Sequence, residues 1–107
     1  MENTSGLQPL GRAILVEHYE PERAGSLIVM PDSIRVRSLM VEQRAIVIEV
    51  GPEAWKEESQ PRAKPGDLVL ISSMAGYMAE GTADGKQYRL VNDRDVFAKI
   101  TKENENA

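Results

Sequence analysis

The sequence predicts an all-β fold, a small barrel or sandwich of five or six short strands, and three observations carry that expectation. Short aliphatic runs recur along the chain and are separated by glycine, proline, asparagine and aspartate turn signals. The chain has 107 residues, 41% hydrophobic but only 5% aromatic, so one modest core built from aliphatic side chains is expected. Asp84-Gly85 is the strongest hairpin signal, because a type I′ turn needs positive φ at both central positions and these residues tolerate it.

Each element has its own justification. Arg12-Ala13-Ile14-Leu15-Val16-Glu17-His18 is too short for a typical helix and rich in aliphatic residues, which predicts the first strand. Arg44-Ala45-Ile46-Val47-Ile48-Glu49-Val50 predicts a second, stopped by Gly51-Pro52. Between them, residues 19–43 carry Pro21, Gly25 and Pro31 and sustain no period of 2 or 3.6 residues, which predicts a long loop. Connections beyond about 12–15 residues are uncommon in compact domains and are usually functional or disordered. Residues 52–64 form a second, polar excursion, expected as a hairpin, that closes at Pro65-Gly66-Asp67. Leu68-Val69-Leu70-Ile71 is a short apolar strand, and a weak strand is expected around Tyr77 to Ala79. Gln87 to Val91 and Val96 to Ile100 are strands on either side of the turn Asn92-Asp93-Arg94-Asp95, and residues 101–107 form a polar tail of the same single domain.

Composition excludes several classes of function. Lysine and arginine total 13 against 17 for aspartate and glutamate, and the resulting net charge of −4 opposes nucleic acid and anionic lipid as partners. No apolar stretch approaches the roughly 20 residues that span a bilayer, and Met1-Glu2-Asn3-Thr4-Ser5-Gly6 lacks the features of a signal peptide, so a cytoplasmic protein is expected. The chain has no cysteine, which removes disulfides, thiol nucleophiles and thiolate metal sites.

Catalytic chemistry finds no foothold. His18 is the sole imidazole, and a zinc site around it would need an unusual set of carboxylates, so neither a metal nor a cofactor is expected. The acidic pairs Glu57-Glu58 and Asp93 with Asp95 fall in polar turns, which predicts solvated charge rather than a carboxyl with a raised pKa. Ser72 and Ser73 have no nucleophile elbow around them. Gly76 and Gly81 have the spacing of a phosphate loop, but Thr82-Ala83 stands where lysine and a hydroxyl residue are needed, so these glycines and Gly85 are expected in turns. Trp55 either anchors an interface or folds back locally, and local packing is favoured. No catalytic residue is assigned, and the chain is not expected to be an enzyme.

The run Leu27-Ile28-Val29-Met30 stands apart. It is either a short core strand or an apolar hook that a partner covers, and its position between Gly25-Ser26 and Pro31 favours the hook. Burying three such side chains gives roughly 5–9 kcal/mol, at about 1.5–3 kcal/mol each. Ordering a flexible segment takes back about 2–5 kcal/mol or more. One loop therefore binds weakly, and useful affinity requires several copies on one assembly.

In the order of its motifs, from about Leu10 to Ile100, the chain resembles the GroES-type co-chaperonins. Pro9-Leu10 with Arg12 to Val16 looks like that family's opening strand, and Ala24-Gly25-Ser26-Leu27-Ile28-Val29-Met30-Pro31-Asp32 is similar to its mobile-loop motif. Ile46-Val47-Ile48-Glu49-Val50-Gly51, Lys64-Pro65-Gly66-Asp67-Leu68-Val69-Leu70, Ala75-Gly76, Asp84 to Tyr88 and Asp95 to Ile100 follow in the family's sequence. The resemblance implies a partly open β-barrel with a long mobile loop and a roof hairpin, assembled as a homo-oligomeric heptamer that caps an ATP-driven chaperonin and assists protein folding. It implies that ATP is bound by the chaperonin alone, and that Leu27, Ile28, Val29 and Met30 supply the contacts to the chaperonin apical domain. It also implies that the excursion from Glu53 to Gln60 forms the roof of the dome, and that first and last strands pair between neighbouring subunits.

The chain departs from the family pattern at several positions. Gly25-Ser26 replaces the usual glycine pair, and the aliphatic run is one residue longer, so the register of docking is open among its four residues. Ala45 stands at a common glycine position and Met74 at a common aromatic one, and Ile34, Val36, Leu39, Met40 and Val41 make the return arm unusually apolar. The competing reading is a divergent β-barrel that serves as a structural or adaptor subunit without binding a chaperonin.

Overall fold

The computed structural model describes residues 2–19 and 40–102. Its strands are β1 (Ala13–His18), β2 (Arg44–Val50), β3 (Leu68–Ile71), β4 (Tyr77–Glu80), β5 (Gln87–Asn92) and β6 (Val96–Lys99), with a 3₁₀ turn at Asp93–Asp95 between the last two. All neighbours pair antiparallel in the order β4-β5-β1-β2-β3-β6, and no pairing between β4 and β6 closes the sheet. This all-β architecture is that of a small, partly open barrel.

Alternation along the central strands gives the sheet two apolar faces. Ile14, Val16, Ala45, Val47, Val69, Ile71, Val91 and Val96 join Trp55 and Ala63 in the main core, while Leu15, Ile48 and Tyr88 form a second cluster against Leu7, Ile46 and Leu90. The β1–β2 register shifts between Leu15 and Val16, so Leu15 faces Glu49 and Val16 faces Val47. The extra residue, Ile48, switches the alternation of β2 and so lets Val50 pack on the main core beside Ala45 and Val47.

The excursion after β2 covers that core. It runs as turns and bends, with no ladder between its arms among the described residues, because its backbone closes short local turns and reaches back to the loop before β1. The Glu53 amide donates to the Gly11 carbonyl at 2.8 Å and the Glu58 amide to Trp55 at 3.0 Å. Trp55 adopts a positive φ of 54° and is only 3% exposed. Asp93 holds it there: one carboxylate oxygen accepts the Trp55 amide at 2.8 Å, and the Asp93 carbonyl accepts the indole N–H at 2.8 Å. The tryptophan thus packs within its own chain, and Asp93, expected as solvated charge, is a buried acceptor. Glu57 and Glu58 are surface charges paired to Arg12 at 2.8 Å and Arg62 at 2.9 Å, where solvent screening leaves little net stabilisation.

The β4–β5 connection corrects the expected two-residue turn. β4 ends at Glu80 and β5 begins at Gln87, and of Asp84 and Gly85 only the glycine has positive φ. Asp84 is held instead by its side chain, which accepts from the Lys86 amide, the Thr4 hydroxyl and the Tyr88 hydroxyl. Burial and the hydrogen bond donated to Asp84 push the Tyr88 phenol up to about 12. An unfolded tyrosine ionises near pH 10, so the folded state favours the neutral phenol. The stability it contributes is therefore fully present below about pH 10 and is lost as pH rises toward about 12. In an absorbance titration of the three tyrosines, one is expected to ionise only near pH 12 and together with unfolding. Tyr88→Phe should remove that step, and ionisation of all three near pH 10 would contradict the assignment.

Candidate partner-docking site

The connection from β1 to β2 leaves and re-enters the sheet on adjacent antiparallel strands. His18 faces Ala45 across the ladder, and the Tyr19 amide donates to the Arg44 carbonyl at 3.4 Å. The Arg44 guanidinium lies 5.3 Å from the centre of the Tyr19 ring and pairs with Glu42 at 2.9 Å. That hydrogen bond is the main reason the Glu42 carboxyl sits below its ordinary range, with burial acting in the opposite sense. Both ends of the connection are therefore pinned side by side. Leu27, Ile28, Val29 and Met30 lie outside the described residues, as do Ile34, Val36 and Leu39.

The return arm is described from Met40, where Met40 and Val41 have helical backbone. Its four carbonyls, residues 40 to 43, all accept hydrogen bonds. Met40 receives the Met74 amide at 2.7 Å, Val41 the Ser73 hydroxyl at 3.3 Å, Glu42 the Arg89 guanidinium at 3.1 Å and Gln43 the Ile71 amide at 2.8 Å. Met74 itself has φ of 63°, and the adjoining Gly76 has φ of 66° with no room for a side chain, since a Cβ would run into the Leu90 carbonyl. Val41 and Met74 stay more than half exposed beside this junction.

Arg89 is the member of this junction that sequence reasoning missed. β5 places Tyr88 and Leu90 toward the second cluster and Val91 toward the main core, so Arg89 occupies an inward position where an aliphatic side chain is the ordinary choice. The signal available was Val91, which lies two residues on and shares the face of Arg89, in a strand whose two faces are both apolar. Burial lowers the Arg89 pKa from the ordinary guanidinium value, opposed by the charge of Asp95, and an arginine remains protonated regardless.

The residues weighed for catalysis are dispersed. His18 is buried at the end of β1, and Ser73 donates to a backbone carbonyl rather than facing a base. Among the described residues no three histidine, aspartate or glutamate side chains converge to hold a metal ion, and no helix is long and apolar enough to cross a membrane. Two open grooves of about 380 and 760 Å³ run beside β6, the larger lined by Arg12, Trp55, Glu57, Arg62, Asp93 and Phe97. Of the charges in it, Arg12 is engaged with Glu57, Arg62 with Glu58 and Asp93 with Trp55, and Arg94 also lines it.

What the fold and these roots define is a small open barrel that carries one long connection on two pinned ends. Residues 6–100 match the model of the family described as chaperonin 10 Kd subunit, and the chain belongs to that family. It is 32% identical over 97 residues to the co-chaperonin GroES of Halothermothrix orenii, covering 90% of this chain and 98% of that protein. It is 34% identical over 100 residues to the co-chaperonin GroES of Corynebacterium jeikeium, covering 90% and 95%. The co-chaperonin GroES of Mycolicibacterium vanbaalenii is 32% identical over 101 residues, with the same coverage.

Proposed function

We propose that this chain is a co-chaperonin: copies of it form a ring, seven by the family's pattern, that caps an ATP-driven chaperonin and assists protein folding. The observation that carries this reading is the family match over residues 6–100, which takes in the whole 19–43 connection and both of its roots. Leu27, Ile28, Val29 and Met30 are the docking residues, and the apical domain of the chaperonin is their partner. The chain itself needs no cofactor and performs no catalysis, since ATP is bound and hydrolysed by the partner. A cytoplasmic location fits a machine that works on newly made protein in the presence of ATP.

The energetics support the ring. Three buried aliphatic anchors supply roughly 5–9 kcal/mol, and ordering the loop removes about 2–5 kcal/mol before association costs. A single loop is left with weak affinity, whereas loops on one rigid ring dock in succession at high effective concentration. Native mass spectrometry tests the reading directly. The chain alone is expected as a single closed oligomer, and with a chaperonin and ATP as that oligomer bound to the chaperonin's end. A stable oligomer that never joins a chaperonin would overturn it in favour of an adaptor or structural role.

A further inference from the structure

We propose that Arg89 is the positioning residue of the docking connection, fastening its return root to the 72–75 turn so that the chain re-enters the barrel at one fixed point. This rests on the docking function proposed above. The Arg89 side chain is fully buried, and among the described residues no carboxylate lies within ion-pair distance of it. Its guanidinium is satisfied by backbone alone. Nε donates to the Ala75 carbonyl at 2.6 Å, one terminal nitrogen to Glu42 at 3.1 Å and the other to Ser72 at 3.2 Å.

The placement of these three acceptors gives the arginine its role. Ser72 and Ala75 bracket Met74, a non-glycine residue in the left-handed region, which persists only where its surroundings hold it. Met74 in turn donates to Met40 and Ser73 to Val41, and Ile71 at the end of β3 donates to Gln43, so the turn that Arg89 holds and the strand entering it supply the other three bonds of the return root. The planar fork of a guanidinium can reach three divergent carbonyls, and a point cation cannot. Without it the part-buried carbonyls lose charge-assisted partners and the strained turn loses its brace. The return root then samples other arrangements, and the fraction of loops poised to dock falls; affinity falls with that fraction.

The test uses the full chain carrying Arg89→Met, with Arg89→Lys as the conservative variant. Hydrogen exchange of the Ile71 and Met74 amides is expected to rise about tenfold in Arg89→Met and about threefold in Arg89→Lys. Capping of a chaperonin with ATP is expected to slow in association by about tenfold in Arg89→Met and less in Arg89→Lys. Dissociation of the formed complex should stay within about twofold, because Arg89 touches no partner. A purely structural role would instead lower global stability and oligomer yield without separating the two rates. Wild-type exchange in both variants, or equal effects on association and dissociation, would overturn the proposal. If Arg89→Met does not fold, Arg89→Lys alone decides it, and wild-type exchange and association in that variant would overturn it. A wild-type chain that joins no chaperonin would sink the docking function and the role assigned to Arg89 in it, while the exchange result would still judge the fastening itself.

Discussion

Changing Leu27, Ile28 and Val29 together to serine is expected to abolish capping and chaperonin-dependent refolding while leaving the oligomer intact. On the proposed docking, three aliphatic side chains supply roughly 5–9 kcal/mol of gross energy per loop, and each serine forfeits about 1.5–3 kcal/mol of it. After the ordering cost of about 2–5 kcal/mol nothing favourable remains, and avidity multiplies an affinity that is now absent. The described members of the sheet's two apolar clusters are left unchanged by these substitutions. A client-refolding assay with chaperonin and ATP reads the loss, and native mass spectrometry reads the intact ring. If the triple variant caps as the wild type does, these residues are not the docking element. Single serine substitutions across Leu27 to Met30 then set the register: each true anchor should weaken one loop by roughly 10- to 150-fold, and the residue outside the groove by much less.

Trp55→Ala is expected to destabilise the protomer by about 3–5 kcal/mol, the range for removing a large buried aromatic. Trp55 is the bridge between the excursion and the sheet. Its ring packs among the main-core residues of β1, β2, β3 and β5, and its two N–H groups both find Asp93. Truncation opens a cavity and leaves the Asp93 carbonyl without the indole donor. Against a total stability of about 5–15 kcal/mol for a domain, that loss brings an isolated protomer close to unfolding. Assembly offsets part of it by mass action, so the denaturation midpoint of the variant should rise with protein concentration more steeply than that of the wild type. Trp55→Phe keeps most of the apolar contact and loses one hydrogen bond, which should cost about 1–2 kcal/mol beyond the ring's smaller volume. Urea denaturation followed by far-ultraviolet circular dichroism checks both, and a loss below about 1 kcal/mol for Trp55→Ala would mean the excursion is not docked through its indole.

The strands were legible for a local reason. Ile14 to Val16, Ala45 to Val50 and Leu68 to Ile71 are short aliphatic runs set off by turn signals such as Gly51-Pro52 and Pro65-Gly66-Asp67, and β1, β2 and β3 contain them. Even the weak strand around Tyr77 is present as β4, paired along its length with β5. The turn at Asp84-Gly85 was misread because turn propensity is a property of two residues, whereas Asp84 answers to Thr4, eighty residues away, and to Tyr88. Asp93 was misread for a related reason. A carboxylate in a polar stretch looks solvated until the chain is folded and a tryptophan from residue 55 is brought to its side.

By itself, then, the sequence determined the class of fold, the order of strands along the chain, the absence of thiol chemistry, and the long connection with its apolar run between Gly25-Ser26 and Pro31. These depend on side-chain periodicity and backbone restriction, which act between near neighbours. Only the tertiary structure decided where Trp55 goes, why Asp93 is buried, and which groups hold the return root at Met40 to Gln43. Those outcomes rest on hydrogen bonds between residues 38, 47 and 17 positions apart, such as Asp93 with Trp55, Arg89 with Glu42 and Arg89 with Ser72. A buried donor must find an acceptor wherever the packed chain supplies one, and no local pattern states in advance which carbonyl that will be.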